Sequence, residues 1–158
     1  MNDILNFILK DTYTLSSLKH RLRILKSVVS AHLFGGQPQG ELSSSDSLWL
    51  STLPPILYQQ FNKNNVAEIF DDIESKINHF KTLTMYLPFE VQEDASKQIG
   101  DYVRKNFSSL LLLDIKFDPN LIAGCALSWN GIYRDYSLRS KIQEKKDDIL
   151  ESFKKFLR

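Results

Sequence analysis

Three histidines, one cysteine and two adjacent aspartate pairs are the side chains in this sequence that could carry catalysis or bind a metal. His20, His32 and His79 never fall at the three- or four-residue spacing that brings two imidazoles to one helix face. Surface or half-buried roles are expected for all three. Asp71-Asp72 and Asp147-Asp148 are neighbours in sequence, and neighbours on a helix do not face each other. Solvated helix surface accounts for them better than acid/base chemistry. Cys125 follows Gly124 in an apolar run, where a thiol behaves as a small hydrophobe, and no activating base accompanies it. One cysteine rules out an internal disulfide and a cysteine metal cluster, and suits a reducing compartment. Gly35-Gly36 and Gly40 lack the Lys-Ser or Lys-Thr of a phosphate loop. The basic group Lys19-His20-Arg21, Arg23 and Lys26 reads as a solvated helix face, or as a face for an acidic partner helix. No catalytic residue, cofactor or metal is expected.

The bulk numbers agree. The chain has 158 residues with 42% apolar and 25% charged side chains, the mixture of a globular protein. Residues 1–62 carry five Lys/Arg against four Asp/Glu, and residues 63–158 carry fifteen of each. Neither half has the positive excess that draws in nucleic acid. Apolar runs such as Leu110–Leu113 are far short of the roughly 20 residues that cross a bilayer. The segment Met1–Asp11 contains Asp3 and Asp11 and no Arg, a poor secretory or transit signal. No direct membrane insertion is expected.

Positioning falls to a mostly helical α+β arrangement. A helix over 14–34 is predicted from Leu15, Leu18, Leu22, Leu25 and Val29, with a short helical turn before it at 3–10. Gly35–Ser47 is rich in Gly and Ser and reads as a flexible loop. A helical stretch over 47–61 must break at Pro54-Pro55. A helix over 64–81 carries Val66, Ile69, Phe70, Ile73, Ile77 and Phe80 on one face. A strand over 82–89, a helix over 90–107 (Val91, Ala95, Ile99, Tyr102, Val103 and Phe107 as its stripe) and a strand over 110–117 follow. Asp118-Pro119-Asn120 is a turn, Leu121–Trp129 a strand, Asn130-Gly131 a hairpin turn and Ile132–Asp135 the returning strand. One last helix over 137–157 shows Leu138, Ile142, Ile149, Phe153 and Phe156. The expected division is an N-terminal helical region, 1–62, and a C-terminal domain, 63–158, with a few-stranded sheet packed on helices.

The run Asp118-Pro119-Asn120-Leu121-Ile122-Ala123-Gly124, the Asn130-Gly131 turn and Asp135-Tyr136-Ser137-Leu138-Arg139 resemble the closing signature of the ATP synthase delta/OSCP family. That signature is a Pro-x-Leu-Ile-Gly-Gly strand, a hairpin, and Asp-x-Ser-hydrophobic-Arg leading into a last helix. Thr84–Pro88 and the helix after it resemble the family's Ala-x-Pro-Leu strand and its following helix. Ala123 replaces the first glycine of the usual pair, and Tyr136 replaces a small residue. The helical region before residue 63 is short for the family, which makes it either a reduced or divergent form of the usual bundle or an unrelated addition. The motif's roles are structural: Gly124 permits close backbone approach, and Asp135 and Ser137 suit a helix start.

The resemblance implies a non-catalytic stator subunit. It would bind alpha (and beta) subunits through the N-terminal helices, by the face of Leu15, Leu18, Leu22, Leu25 and Val29. It would bind b subunits through the C-terminal domain, around Leu121–Gly124 and the last helix. It would sit peripherally at the cytoplasmic face of a bacterial inner membrane, ahead of a mitochondrial matrix side. Two alternatives stand beside it. An E-type stalk subunit of a vacuolar or archaeal ATPase usually opens with a long unbroken helix, against which Gly35-Gly36, Pro38 and Pro54-Pro55 argue. A small nucleic-acid-binding or regulatory domain would use the basic face 19–26.

Overall fold

A computed structural model describes residues 3–38, 40, 42–108 and 110–157. Apolar residues at three- and four-residue spacing build the first half. They form α1 (Asp3–Lys10), α2 (Leu15–Phe34), α3 (Ser44–Thr52), α4 (Pro55–Tyr58) and α5 (Val66–Asn78). Thr14 caps α2, its hydroxyl accepting from the Ser17 amide at 3.1 Å. The helix stops at Gly35, whose φ of 74° suits a residue without a β-carbon.

The serine run is not loop, as expected, but a helix start. The Ser43 hydroxyl accepts from the Asp46 amide, and the Asp46 carboxylate accepts from the Ser43 amide. This reciprocal capping satisfies two amides that α3 would otherwise leave bare. The linker is correspondingly shorter than 35–47, and its Gln39 and Glu41 lie outside the described residues. Pro54-Pro55 breaks the next stretch as expected, with Pro55 opening α4.

The first core joins Ile4, Leu5 and Ile8 of α1, Leu18, Leu22, Leu25 and Val29 of α2, Trp49, Leu57 and Phe61, and Val66, Phe70, Ile73 and Ile77 of α5. Phe61 and Phe70 stack at 5.3 Å between ring centres. The helical core therefore runs through α5 and does not end at residue 62. The apolar face of α5 matches the stripe of α2, and each covers what the other would leave wet.

The second half alternates strand and helix. The strands are β1 (Thr82–Leu87), β2 (Leu112–Phe117), β3 (Ala126–Trp129) and β4 (Ile132–Asp135), with α6 (Glu93–Asn106) crossing between β1 and β2. The sheet order is β2-β1-β3-β4. β1 and β2 run parallel with Leu83 opposite Leu113, and the other two pairings are antiparallel. Asn130 and Gly131 both take positive φ, the turn that matches strand twist. Val103, Leu111 and Leu113 centre a second, smaller core, with Leu83, Ile99, Ile115 and Trp129 against it.

Three expectations change here. Ala95, Tyr102 and Phe107 of the expected α6 stripe are exposed; Val103 is buried as expected, and Gly100 with it. Leu121–Cys125 is not strand, because Pro119–Leu121 winds into a 3-10 turn. The last helix is two, α7 (Leu138–Glu144) and α8 (Lys146–Phe156), meeting at Lys145.

Candidate docking surfaces

The residues able to do chemistry are dispersed. His20 has both ring nitrogens engaged, Nε2 with Asp46 at 3.0 Å and Nδ1 with Arg23 at 3.1 Å. The Nδ1 of His79 lies 2.7 Å from the carbonyl of Ser75. Cys125 is half-buried. Among the described residues no three His, Cys, Asp or Glu side chains are grouped to hold a metal ion.

Much of the basic face 19–26 is used inside the molecule. Arg21 donates to the Asp11 carbonyl and the Thr12 hydroxyl, both at 2.7 Å, and lies over the Trp49 ring. Lys26 pairs with Glu74 on α5 at 3.2 Å. This face ties α2 to its neighbours more than it presents charge to a polyanion.

The His20–Asp46 pair has a testable pH dependence. The Ser43 hydroxyl holds the Asp46 carboxyl below its ordinary 3.8, with His20 adding to the effect and burial opposing it. A depressed carboxyl stabilises the fold above its unfolded value, and that contribution is lost as pH falls through the folded value. In a Trp129→Phe background, Trp49 emission from α3 is expected to change in acid below pH 3.8. Asp46→Asn should abolish that transition; its persistence would assign it to other carboxyls.

The stripe expected to hold the catalytic head is not a free surface. Leu18, Leu22, Leu25 and Val29 are buried and Leu15 half-buried in the chain's own core. The physical reason is the pairing with α1 and α5. Large apolar side chains left outward on this half are Phe7, Phe34, Leu42, Leu48 and Ile56.

The signature residues do converge. Asp118 accepts from the Asn120 amide at 3.0 Å and its own amide donates to Leu87, fixing the turn that Pro119 begins. Leu121 is buried beneath it. Ile122 takes φ 66° and ψ −57°, and across it the Ala123 amide donates to the Leu121 carbonyl at 2.7 Å. That is a strained three-residue turn, unusual for a β-branched side chain. The Leu138 amide reaches the Ala123 carbonyl at 2.8 Å, and the Tyr136 amide reaches that of Cys125 at 2.9 Å. Gly124 lies between these two links. A β-carbon there would stand 2.6 Å from the Tyr136 carbonyl oxygen. Asp135 accepts from the Ser137 amide at 2.7 Å, and buried Ser137 caps α7. The Ser137 hydroxyl and amide hold the Asp135 carboxyl below the usual carboxylate range, with Arg139 adding a smaller pull. The motif is a bracket that sets where α7 begins.

What the bracket holds out is an uncovered apolar face. Leu138 and Ile142 of α7, and Ile149, Leu150, Phe153 and Phe156 of α8, are all exposed, and neither helix has a buried residue. Phe156 keeps 87% of its surface. Within α8, Ile149, Phe153 and Phe156 recur at spacings of four and three, an apolar seam that fits another helix. Lys145, Lys146, Lys154 and Lys155 alternate with Asp147, Asp148 and Glu151 around it. No helix in the described residues is long and apolar enough to cross a membrane.

One comparison with known proteins identifies this arrangement. The family model described as the ATP synthase delta (OSCP) subunit matches residues 60–149. The match covers the signature bracket and the sheet. It also takes in α5, which precedes the signature residues in the chain. No curated protein matches the chain.

Proposed function

The chain belongs to the ATP synthase delta (OSCP) subunit family, a family of non-catalytic peripheral-stalk subunits, and we propose that it joins the catalytic alpha/beta head to the b-subunit stalk. The uncovered seam on α7 and α8 carries this reading. A helix pair with no buried residue gains little from its own fold and much from a partner helix laid along it. A stalk of b-subunit helices supplies that partner. The head contact belongs to the outer surface of the helical half, not to the buried stripe. A static link of this kind needs no catalytic group and no cofactor.

The test is recovery of the complex. A tagged copy purified from gently detergent-solubilised membranes should bring alpha, beta and b subunits in near-fixed ratio, identified by mass spectrometry. Recovery of none of them, from membranes whose synthase is intact, would sink the reading. Deleting residues 1–46 is a poor way to map the head contact, because α1 and α2 supply half of the core that α5 shares. Surface substitutions are the cleaner tool.

A further inference from the structure

A strap runs where the two cores meet. Residues 12–14, between α1 and α2, run beside the sheet. The Leu113 amide donates to the Tyr13 carbonyl at 2.9 Å, and Thr14 forms a parallel bridge with Leu113. The adjacent β2 residues Leu112 and Leu113 point to opposite faces, so one enters the helical core and the other the sheet core. From the sheet half, α6 reaches back with Arg104. Its Nη1 donates to the Leu9 carbonyl at 2.9 Å and its Nη2 to the Thr12 carbonyl. Its guanidinium lies 4.5 Å from the centre of the Tyr13 ring. Gly100, one turn earlier on α6, leaves the space that this ring fills; a β-carbon there would stand 2.5 Å from it.

This is a demanding place for a cation. Arg104 is partly desolvated, and its Nε is buried with no hydrogen-bond partner among the described residues. What compensates is the negative end of α1, whose last carbonyls have no helical amide to accept from, and the face of Tyr13. The fork geometry matters, because one carbonyl of α1 and one of the strap are held by two nitrogens of one planar group. A lysine ammonium offers one nitrogen and no plane.

We propose that Arg104 is an interlobe latch, which fixes the sheet half to the helical half so that the chain behaves as one stiff body and not as two lobes on a hinge. The latch is independent of the stator reading; only its use under load depends on it. The full-length chain, isolated, is the right sample. With Cys125→Ser as background, spin labels at Glu68→Cys on α5 and Arg134→Cys on β4 report the interlobe distance by pulsed electron resonance. The parent should give one narrow distribution. R104M should widen it about twofold, as expected for small domains freed from a fixed interface, and R104K should not restore it. A residue that merely stabilises would lower the melting temperature without widening the distribution. A broad distribution in the parent, or an unchanged one in R104M, overturns the proposal. Should R104M not fold, the parent's width alone decides. None of these readouts involves other synthase subunits, so failure here leaves the pull-down experiment unaffected.

Discussion

Gly124→Ala is expected to destabilise the chain by about 3 kcal/mol, a left-handed backbone penalty plus an overpacking term. The backbone at Gly124 has φ 84°, and the new β-carbon would lie 2.6 Å from the Tyr136 carbonyl oxygen and 3.1 Å from Ser137 Cα. Both obstacles are backbone, so no side chain can swing away to relieve them. The flanking links, Ala123 to Leu138 and Cys125 to Tyr136, hold the two sides of the bracket together and would have to lengthen. Gly131→Ala is the internal control. Its φ is similar at 79°, but open space surrounds it. It should cost only the backbone penalty, about 1 kcal/mol. Urea unfolding of both variants measures the difference. Equal losses would mean that the Tyr136 contact is not tight in solution. Against a total stability of about 5–15 kcal/mol, the Gly124 change is large, and it acts where α7 is aimed.

The local signals in the sequence were good guides to where each element lies. The Asn130-Gly131 turn, the helix start at Ser137 and the break at Pro54-Pro55 are short-range chemistry, and each sits where expected. What periodicity could not say was which body an apolar stripe faces. The stripes of α2 and α8 look alike as sequence, yet α2 lies inside the first core while α8 lies uncovered. That outcome depends on whether a matching element exists elsewhere in the chain: α5 matches α2, and no element covers α8 in the described residues. The same limit applies to α5, which reads as the start of the second half and packs its apolar face with the first. Arg104, Tyr13 and Gly100 carried no sequence signal, because their meeting joins positions about ninety residues apart. The serine run before α3 was misread for a different reason. Serine favours loops and helix starts alike, and only Asp46 three residues after Ser43 distinguishes the two.

If the stalk seats on α7 and α8, paired glutamates at Ile149 and Phe153 should abolish capture of the b subunits while leaving the isolated chain as stable as before. Both side chains are exposed on α8, so the free protein should change by no more than about 0.5 kcal/mol. In the complex the exposed remainder of these side chains, 38% of Ile149 and 61% of Phe153, would be buried, together contributing about 1.5–3 kcal/mol by removal from water. The double variant forfeits that contribution and places two carboxylates in an apolar seam. The combined loss exceeds the roughly 2.7 kcal/mol that separates a hundredfold difference in affinity. A weakening of at least that size is expected in binding to a soluble b-subunit segment. Lys154→Ala, a rim charge beside Phe153, should change binding little, because exposed charges contribute little once salt screens them. Two other results carry distinct meanings. A melting temperature lower by many degrees would show that α8 packs on the chain itself, and the uncovered-seam argument would fail. Undiminished capture with an unchanged melting temperature would leave the stalk attached elsewhere on the chain. The two readouts together separate a helix that holds a partner from one that holds its own fold.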